Sequence, residues 1–240
     1  MIEPPLAAAL ARVAERASDV LHGYSSGFEP RSTDVLRRFP AVVPNASPLS
    51  VAAPADAYFV VEHNGTRAFT RDGVFHFENG ELRSEMGWPV LGHSLNVGRS
   101  DPVPLRLDAP DAAVRPPRDL RIDPDGTVTF VQVSFDPHSG ARRQQRVALG
   151  RLSLARFPAG TTPVGLDATH VIAPRGVGVT TGFPGGGAFG ALRVSVRELG
   201  RVDLEIGLRR LQEAYLSLEA LQAAYRGNAD VEKGAMDLLK

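Results

Sequence analysis

Residues 58–83 read YFVVEHNGTRAFTRDGVFHFENGELR and carry the strongest folding signal of the chain. Short runs rich in β-branched and aromatic residues are separated by Asn64-Gly65, Asp72-Gly73 and Asn79-Gly80. Such pairs are typical of tight turns between antiparallel strands. We therefore predict a β-meander in this stretch. Strand-like alternation and turn residues recur as far as residue 197, which favours a barrel-like β domain over residues 57–197.

Both ends of the chain show a helical period instead. Apolar residues in the segment 5–22 recur every three or four positions, and Gly23 follows as a helix-terminating residue. After Gly200, large apolar residues alternate between steps of four and three, which is the spacing of a coiled-coil seam. We predict that this seam mediates assembly and consists of Leu204, Leu208, Leu211, Tyr215, Leu218 and Tyr225.

These patterns predict a fold that is mainly β with terminal α-helices. We expect an N-terminal helix and linker at residues 1–56 and a β-rich middle domain at 57–197. Residues 198–240 would form a C-terminal coiled-coil helix that packs with the N-terminal helix as a stalk. The seam alone leaves open whether it closes within one chain or between copies of the chain.

The composition excludes several classes of protein. Lys plus Arg and Asp plus Glu both number 27, so the chain lacks the basic excess that non-specific nucleic-acid binding requires. The absence of cysteine excludes disulfides, thiol nucleophiles and cysteine-ligated zinc. No run approaches the roughly 18 apolar residues of a membrane span, and the N-terminus does not resemble a cleaved signal peptide. We expect neither membrane insertion nor signal cleavage.

Two short motifs suggest chemistry, but their surroundings argue against it. Residues 23–27 match the G-x-S-x-G pattern of serine hydrolases, yet a helix precedes them where a strand is needed. Gly185, Gly187 and Gly190 match G-x-G-x-x-G, yet a strand-like segment follows where a helix should bind the pyrophosphate. The six histidines show no metal-binding spacing. We expect no catalytic activity, no cofactor and no metal.

Two motifs in the middle of the chain carry a family resemblance. Residues 70–73 read TRDG and residues 87–92 read GWPVLG, and together they resemble the flagellar basal-body rod and hook proteins, in which TRDG-x-F precedes GYPVLG. The matching positions are Thr70, Arg71, Asp72, Gly73, Gly87, Trp88, Pro89 and Gly92. The segments 122–128, 149–157 and 202–236 are similar to later parts of the same family. The chain departs from the family where Trp88 replaces a usual Tyr and where residues 14–17 replace an asparagine-rich signature.

The resemblance implies a structural subunit of the flagellar rod rather than an enzyme. Such a subunit would be exported through the flagellar export apparatus without signal cleavage and would polymerise with itself and with other rod and hook proteins. Its place would be the basal body, in the rod that crosses the periplasm. Arg71, Asp72 and Gly73 would fix the hairpin of the β domain, with Gly73 needed for a positive φ. The alternative is a secreted or surface β-domain binding module with a coiled-coil oligomerisation stalk.

Overall fold

The structure is a computed structural model that describes residues 4–28, 30, 41–54, 56–93, 101–107, 117–135 and 142–238. It divides into two compact units. The helical unit comprises Met1–Tyr24, Glu29–Arg38 and Arg201–Lys240, and the β unit comprises Ser25–Phe28 and Phe39–Gly200. Both units therefore contain residues from distant parts of the chain.

The described residues contain two helices and 17 strands. The helices are α1 (Pro4–Leu21) and α2 (Leu204–Leu238). The strands are β1 (Val42–Pro44), β2 (Val51–Ala52), β3 (Tyr58–His63), β4 (Thr66–Thr70), β5 (Phe75–Glu78), β6 (Glu81–Ser84), β7 (Leu91–His93), β8 (Val103–Pro104), β9 (Arg118–Ile122), β10 (Thr127–Phe135), β11 (Arg142–Leu152), β12 (Leu154–Arg156), β13 (Val164–Gly165), β14 (His170–Ile172), β15 (Thr180–Gly182), β16 (Arg193–Val194) and β17 (Val196–Glu198).

The strands of the β unit form several antiparallel sheets. A six-stranded sheet has the order β13-β14-β4-β3-β12-β15, and a five-stranded sheet has the order β8-β7-β11-β10-β9. Three two-stranded sheets pair β1 with β17, β2 with β16 and β5 with β6. Apolar side chains from both larger sheets share one core, in which Phe59, Leu82, Leu152 and Leu154 are completely buried.

Two of the predicted turns are confirmed. Asn64 and Gly65 adopt φ values of 49° and 73° between β3 and β4, and Asn79 and Gly80 adopt 52° and 83° between β5 and β6. Positive φ at both central residues gives the type I′ turn, whose twist matches that of paired strands. The local sequence therefore specifies both hairpins.

The predicted barrel-like meander is wrong, because the chain leaves the first sheet at Asp72-Gly73. The strands β5 and β6 pair with each other in a sheet of their own instead of extending the β3–β4 hairpin. At the point of departure, the Val51 N–H donates to the Gly73 carbonyl over 3.0 Å. The turn thus packs against β2, and a contact from a distant part of the chain replaces the expected hairpin pairing.

In the helical unit, α1 packs antiparallel to the first half of α2. Val20 lies beside Gly207, whereas Ala9 lines a cleft that also contains Ser217. The 18 residues of α1 span about 27 Å and the 35 residues of α2 about 52 Å, at 1.5 Å per residue. The second half of α2 therefore extends past the first described residue of α1. None of the described helices is long and apolar enough to span a membrane.

The predicted coiled-coil stalk is also wrong. The face of α2 that is buried or half-buried carries Leu204, Gly207, Leu211, Ala214 and Leu218. Leu208 and Tyr215, which the sequence placed in the seam, are 55% and 53% exposed. A Cβ on Gly207 would lie 3.2 Å from Val20, so a small residue permits the close approach of the two helices. Leu204, Leu211 and Leu218 thus belong to both the predicted seam and the packed face, whereas Gly207 and Ala214 take the places predicted for Leu208 and Tyr215.

Buried motif cluster and candidate assembly surface

Arg71 of the TRDG motif is buried in the β unit and forms an ion pair with Glu198 of β17. Its Nε donates to Oε1 over 2.6 Å and its Nη2 donates to Oε2 over 2.5 Å. The two side chains are 1% and 0% exposed. Nη1 donates to the carbonyl oxygen of Ala57 over 2.7 Å. The guanidinium therefore ties together three segments that are far apart in sequence.

Thr70 and Asp72 stabilise the backbone on either side of Arg71. The Thr70 hydroxyl donates to the carbonyl of Thr169 over 2.8 Å and accepts from the Asp72 N–H over 3.0 Å. Asp72 Oδ1 accepts from the Val74 N–H over 3.0 Å. Burial raises the pKa of Asp72 to about 6, although its contacts with Ser26 and the Val74 N–H partly offset this effect. The Asp72 carboxyl thus stabilises the turn by accepting from the Val74 N–H, but its burial makes the ionised form less favourable.

The segment Ser25–Phe28 packs directly against this motif. Gly27 adopts a φ of 67°, and its N–H donates to the Glu198 carbonyl over 3.3 Å. A Cβ at this position would lie 2.1 Å from the Asp72 nitrogen. Only glycine meets both requirements. Gly27, the last glycine of the G-x-S-x-G match at residues 23–27, thus permits a tight backbone contact with the TRDG motif.

Gly73 is required for a different reason from the one that we predicted. Its φ is not positive, so the prediction of a left-handed conformation is wrong. A Cβ on Gly73 would instead lie 1.8 Å from the carbonyl oxygen of Val51. The glycine therefore allows the turn to approach β2.

Trp88 of the GWPVLG motif lies between two imidazole rings. The ring centroid of His63 is 4.2 Å from that of Trp88 and the centroid of His170 is 3.9 Å away, both at tilted angles. The Nδ1 of His170 lies 3.0 Å from Asp167, while burial holds the pKa of His170 below its usual value. Burial would raise the pKa of Asp167, but hydrogen bonds from Thr169 and the nearby His170 lower it overall. The stack connects β3, the motif and β14.

The other residues of this motif also have structural roles. Gly87 adopts a φ of 79° in a turn in which its N–H donates to the Ser84 carbonyl. The Pro89 carbonyl accepts from the Glu62 N–H over 2.9 Å. A Cβ on Gly92 would lie 2.4 Å from the carbonyl oxygen of Arg151, so this glycine allows β7 to pair with β11. Residues of this motif thus stabilise the turn after β6, form a hydrogen bond to β3 and allow β7 to pair with β11.

These clusters hold distant segments of the β unit together. Among the described residues, no group of three or more His, Asp or Glu side chains has an arrangement that would hold a metal ion. The sequence motifs led us to Arg71, but they did not point to Glu198. The one sequence signal for Glu198 is that it is an acidic residue in a short strand. Its partner Arg71 lies 127 positions away.

The helical unit presents the second candidate site, an exposed apolar surface. Of the six predicted seam residues, Leu218 is buried, and Leu204, Leu211 and Tyr225 are half-buried. Leu208 and Tyr215 are exposed on one flank of the α1–α2 contact and lie seven positions apart, so they share a face of α2. We call these two residues the α2 flank. Further exposed large apolar side chains of this unit are Leu10, Leu21, Tyr24, Ile206, Leu216 and Val231.

Comparisons with known proteins add no family assignment. A scan against models of protein families and a search of curated proteins each gave no match.

Proposed function

We propose that this chain is a structural subunit of the bacterial flagellar rod and that it assembles helically with copies of itself and with other axial proteins. The exposed apolar flank of α2 carries this proposal. Single exposed leucines are common on proteins. Here two large apolar residues lie in register on a helix whose second half extends past its partner. Such a surface suits burial against a neighbouring subunit.

The energy available from the flank fits an assembly that depends on many weak contacts. Full burial of a Leu side chain contributes about 1.5–3 kcal/mol. Because Leu208 and Tyr215 are each about half exposed, burial of the remaining surface would contribute roughly 1 kcal/mol per residue. A helical polymer repeats this contact at each subunit through a heterologous, non-closing interface.

The resemblance of TRDG and GWPVLG to the rod and hook family supports the same function. In this structure the motif residues brace the β unit, which agrees with a scaffold role. The subunit would be exported without signal cleavage by the flagellar export apparatus and would reside in the rod of the basal body.

A charge substitution on the flank tests the proposal. Replacing Leu208 and Tyr215 by Asp should abolish swimming motility in a strain whose own copy of the gene is deleted, because charged side chains would enter a subunit interface. The matched control is Ala220→Asp with Ala224→Asp, which introduces the same two charges at exposed positions on another face of α2. Circular dichroism of each purified variant checks that the monomer folds.

The expected pattern is loss of motility for the flank variant and normal motility for the control. If the deletion strain swims normally without any copy of the gene, the proposed function is wrong. Full motility of a folded flank variant would show that this surface is not an assembly interface.

A further inference from the structure

A short segment after α1 belongs to the β unit although its neighbours in sequence do not. Ser25–Phe28 are part of the β unit, whereas Met1–Tyr24 and Glu29–Arg38 belong to the helical unit. The side chains of Ser26 and Phe28 are buried, at 8% and 4% exposure. We call residues 25–28 the anchor segment. It is the first part of the chain in the β unit, so it anchors the N-terminal end of the chain there.

The backbone hydrogen bonds of the anchor segment are long. The Gly27 N–H donates to the Glu198 carbonyl over 3.3 Å, and the Phe28 N–H donates to the Ser25 carbonyl over 3.3 Å. Both distances lie just beyond the usual range of about 2.7–3.2 Å for such bonds. Segments held by weak bonds and few residues open locally at a lower free energy than the core of a domain. The anchor segment therefore has the structure of a small cooperative unit that opens by itself.

The carboxyl of Asp72 is buried beside the anchor segment. Asp72 is 3% exposed, and none of the described basic side chains forms an ion pair with it. The Ser26 hydroxyl contacts this carboxyl without the geometry of a regular hydrogen bond and has no other partner among the described residues. Of the charged groups nearby, Arg71 is paired with Glu198, while the exposed Glu85 and Arg197 have opposite effects on the pKa of Asp72. An ionised Asp72 is therefore poorly compensated in this place.

We propose that Asp72 is a pH-dependent latch for the anchor segment: its protonated carboxyl keeps the segment closed, and its ionisation promotes local opening. A protonated carboxyl can donate to the Ser26 hydroxyl oxygen while its other oxygen accepts from the Val74 N–H. An ionised carboxylate in the same place loses its hydration without a paired cation in return. Movement of the anchor segment away from Asp72 returns the carboxylate to water and removes this cost. The inference concerns the attachment of the N-terminal end and does not depend on the proposed function.

The size of the effect follows from the linkage between proton binding and opening. In the closed state burial raises the pKa of Asp72 from its ordinary value of 3.8 to about 6. In the open state the carboxyl is hydrated, so its pKa returns to the ordinary value. The closed state is therefore favoured fully below about pH 4, and this preference is lost as pH rises through about 6. The equilibrium constant for opening should rise about fiftyfold between pH 4 and pH 7 and change little at higher pH.

Amide hydrogen exchange of the full-length chain tests the latch. The amides of Gly27 and Phe28 would be followed from pH 4 to pH 7, with correction for intrinsic exchange rates. Their opening constant should rise about fiftyfold over this range, and low urea should hardly change it, because local opening exposes little surface. Asp72→Asn is neutral throughout and should keep the low opening constant at every pH. The control Asp56→Asn removes an exposed carboxylate and should retain the pH dependence of the wild-type chain.

Three outcomes would overturn the latch. The first is a change of less than about threefold in the opening constant of the wild-type chain, a result that needs no variant to fold. The second is exchange of Gly27 and Phe28 with the rate and urea dependence of core amides such as that of Val60, because the anchor segment would then open only with the whole β unit. The third is an unchanged pH dependence in folded Asp72→Asn, which would assign the titration to another group.

Discussion

The buried ion pair between Arg71 and Glu198 gives the sharpest prediction about stability. Glu198→Gln keeps the size of the side chain but removes its charge and presents an amide NH₂ to a guanidinium that can only donate. Breaking a buried pair by removing one partner costs about 3–5 kcal/mol, because the remaining charge stays buried without compensation. Since whole domains are stable by about 5–15 kcal/mol, this single change should remove a large share of the stability of the β unit.

Arg71→Met should cost at least as much. It leaves the Glu198 carboxylate uncompensated and also removes the donor to the Ala57 carbonyl. The double variant Arg71→Met with Glu198→Leu should cost less than Arg71→Met alone. Once the Arg71 cation is absent, replacing Glu198 removes an uncompensated buried charge and breaks no ion pair. The two substitutions should therefore be strongly non-additive.

Urea unfolding followed by tryptophan fluorescence measures these effects. Trp88 is the only tryptophan and lies in the β unit, so its emission reports the unit that contains the ion pair. The matched control is Asp56→Asn, which breaks the exposed pair with Arg156 and should cost less than about 1 kcal/mol. A loss below about 1 kcal/mol for Glu198→Gln, or simple additivity in the double variant, would refute the reasoning.

Three further substitutions test other contacts. Because burial raises the pKa of Asp72 to about 6, the folded chain binds this proton more tightly than the unfolded chain, so the Asp72 contribution to the free energy of unfolding falls as pH rises from about 4 to 6. Asp72→Asn should remove this contribution and increase stability at pH 7, and an unchanged pH dependence in urea titrations would contradict it. Gly27→Ala should destabilise the β unit by at least about 1–3 kcal/mol, because its Cβ would meet the Asp72 nitrogen at a positive φ; a neutral effect on the urea midpoint would disprove the contact. Leu218→Ala should destabilise the helical unit by about 2–5 kcal/mol in thermal melts followed by circular dichroism, whereas Leu208→Ala should cost less than about 1 kcal/mol. Equal losses would mean that the predicted seam packs after all.

Local sequence signals predicted the hairpins but not the sheets that contain them. Asn64-Gly65 and Asn79-Gly80 specify type I′ turns on their own, because the required φ values depend on those two residues. Asp72-Gly73 looks similar in sequence, yet its conformation depends on a hydrogen bond to Val51. No local pattern indicates that partner.

The helices show the same limit. Leu208 and Tyr215 fit the seam spacing better than Gly207 and Ala214 when only hydrophobicity is considered. The structure buries the smaller residues, because close packing depends on how near the two backbones can approach. For the candidate sites, the family motifs led to Arg71 and Trp88. Neither Glu198 nor the two histidines around Trp88 were predicted, since each contact joins residues that are distant in sequence.

Quantitative mass spectrometry of purified basal bodies tests the central proposal most directly. Basal bodies would be isolated from the bacterium that encodes this chain and from the strain in which its gene is deleted. The account predicts that the chain copurifies with the axial proteins in amounts comparable to theirs, and that deletion removes the rod structures distal to its position. Its absence from basal bodies of motile cells that express the protein would contradict the account.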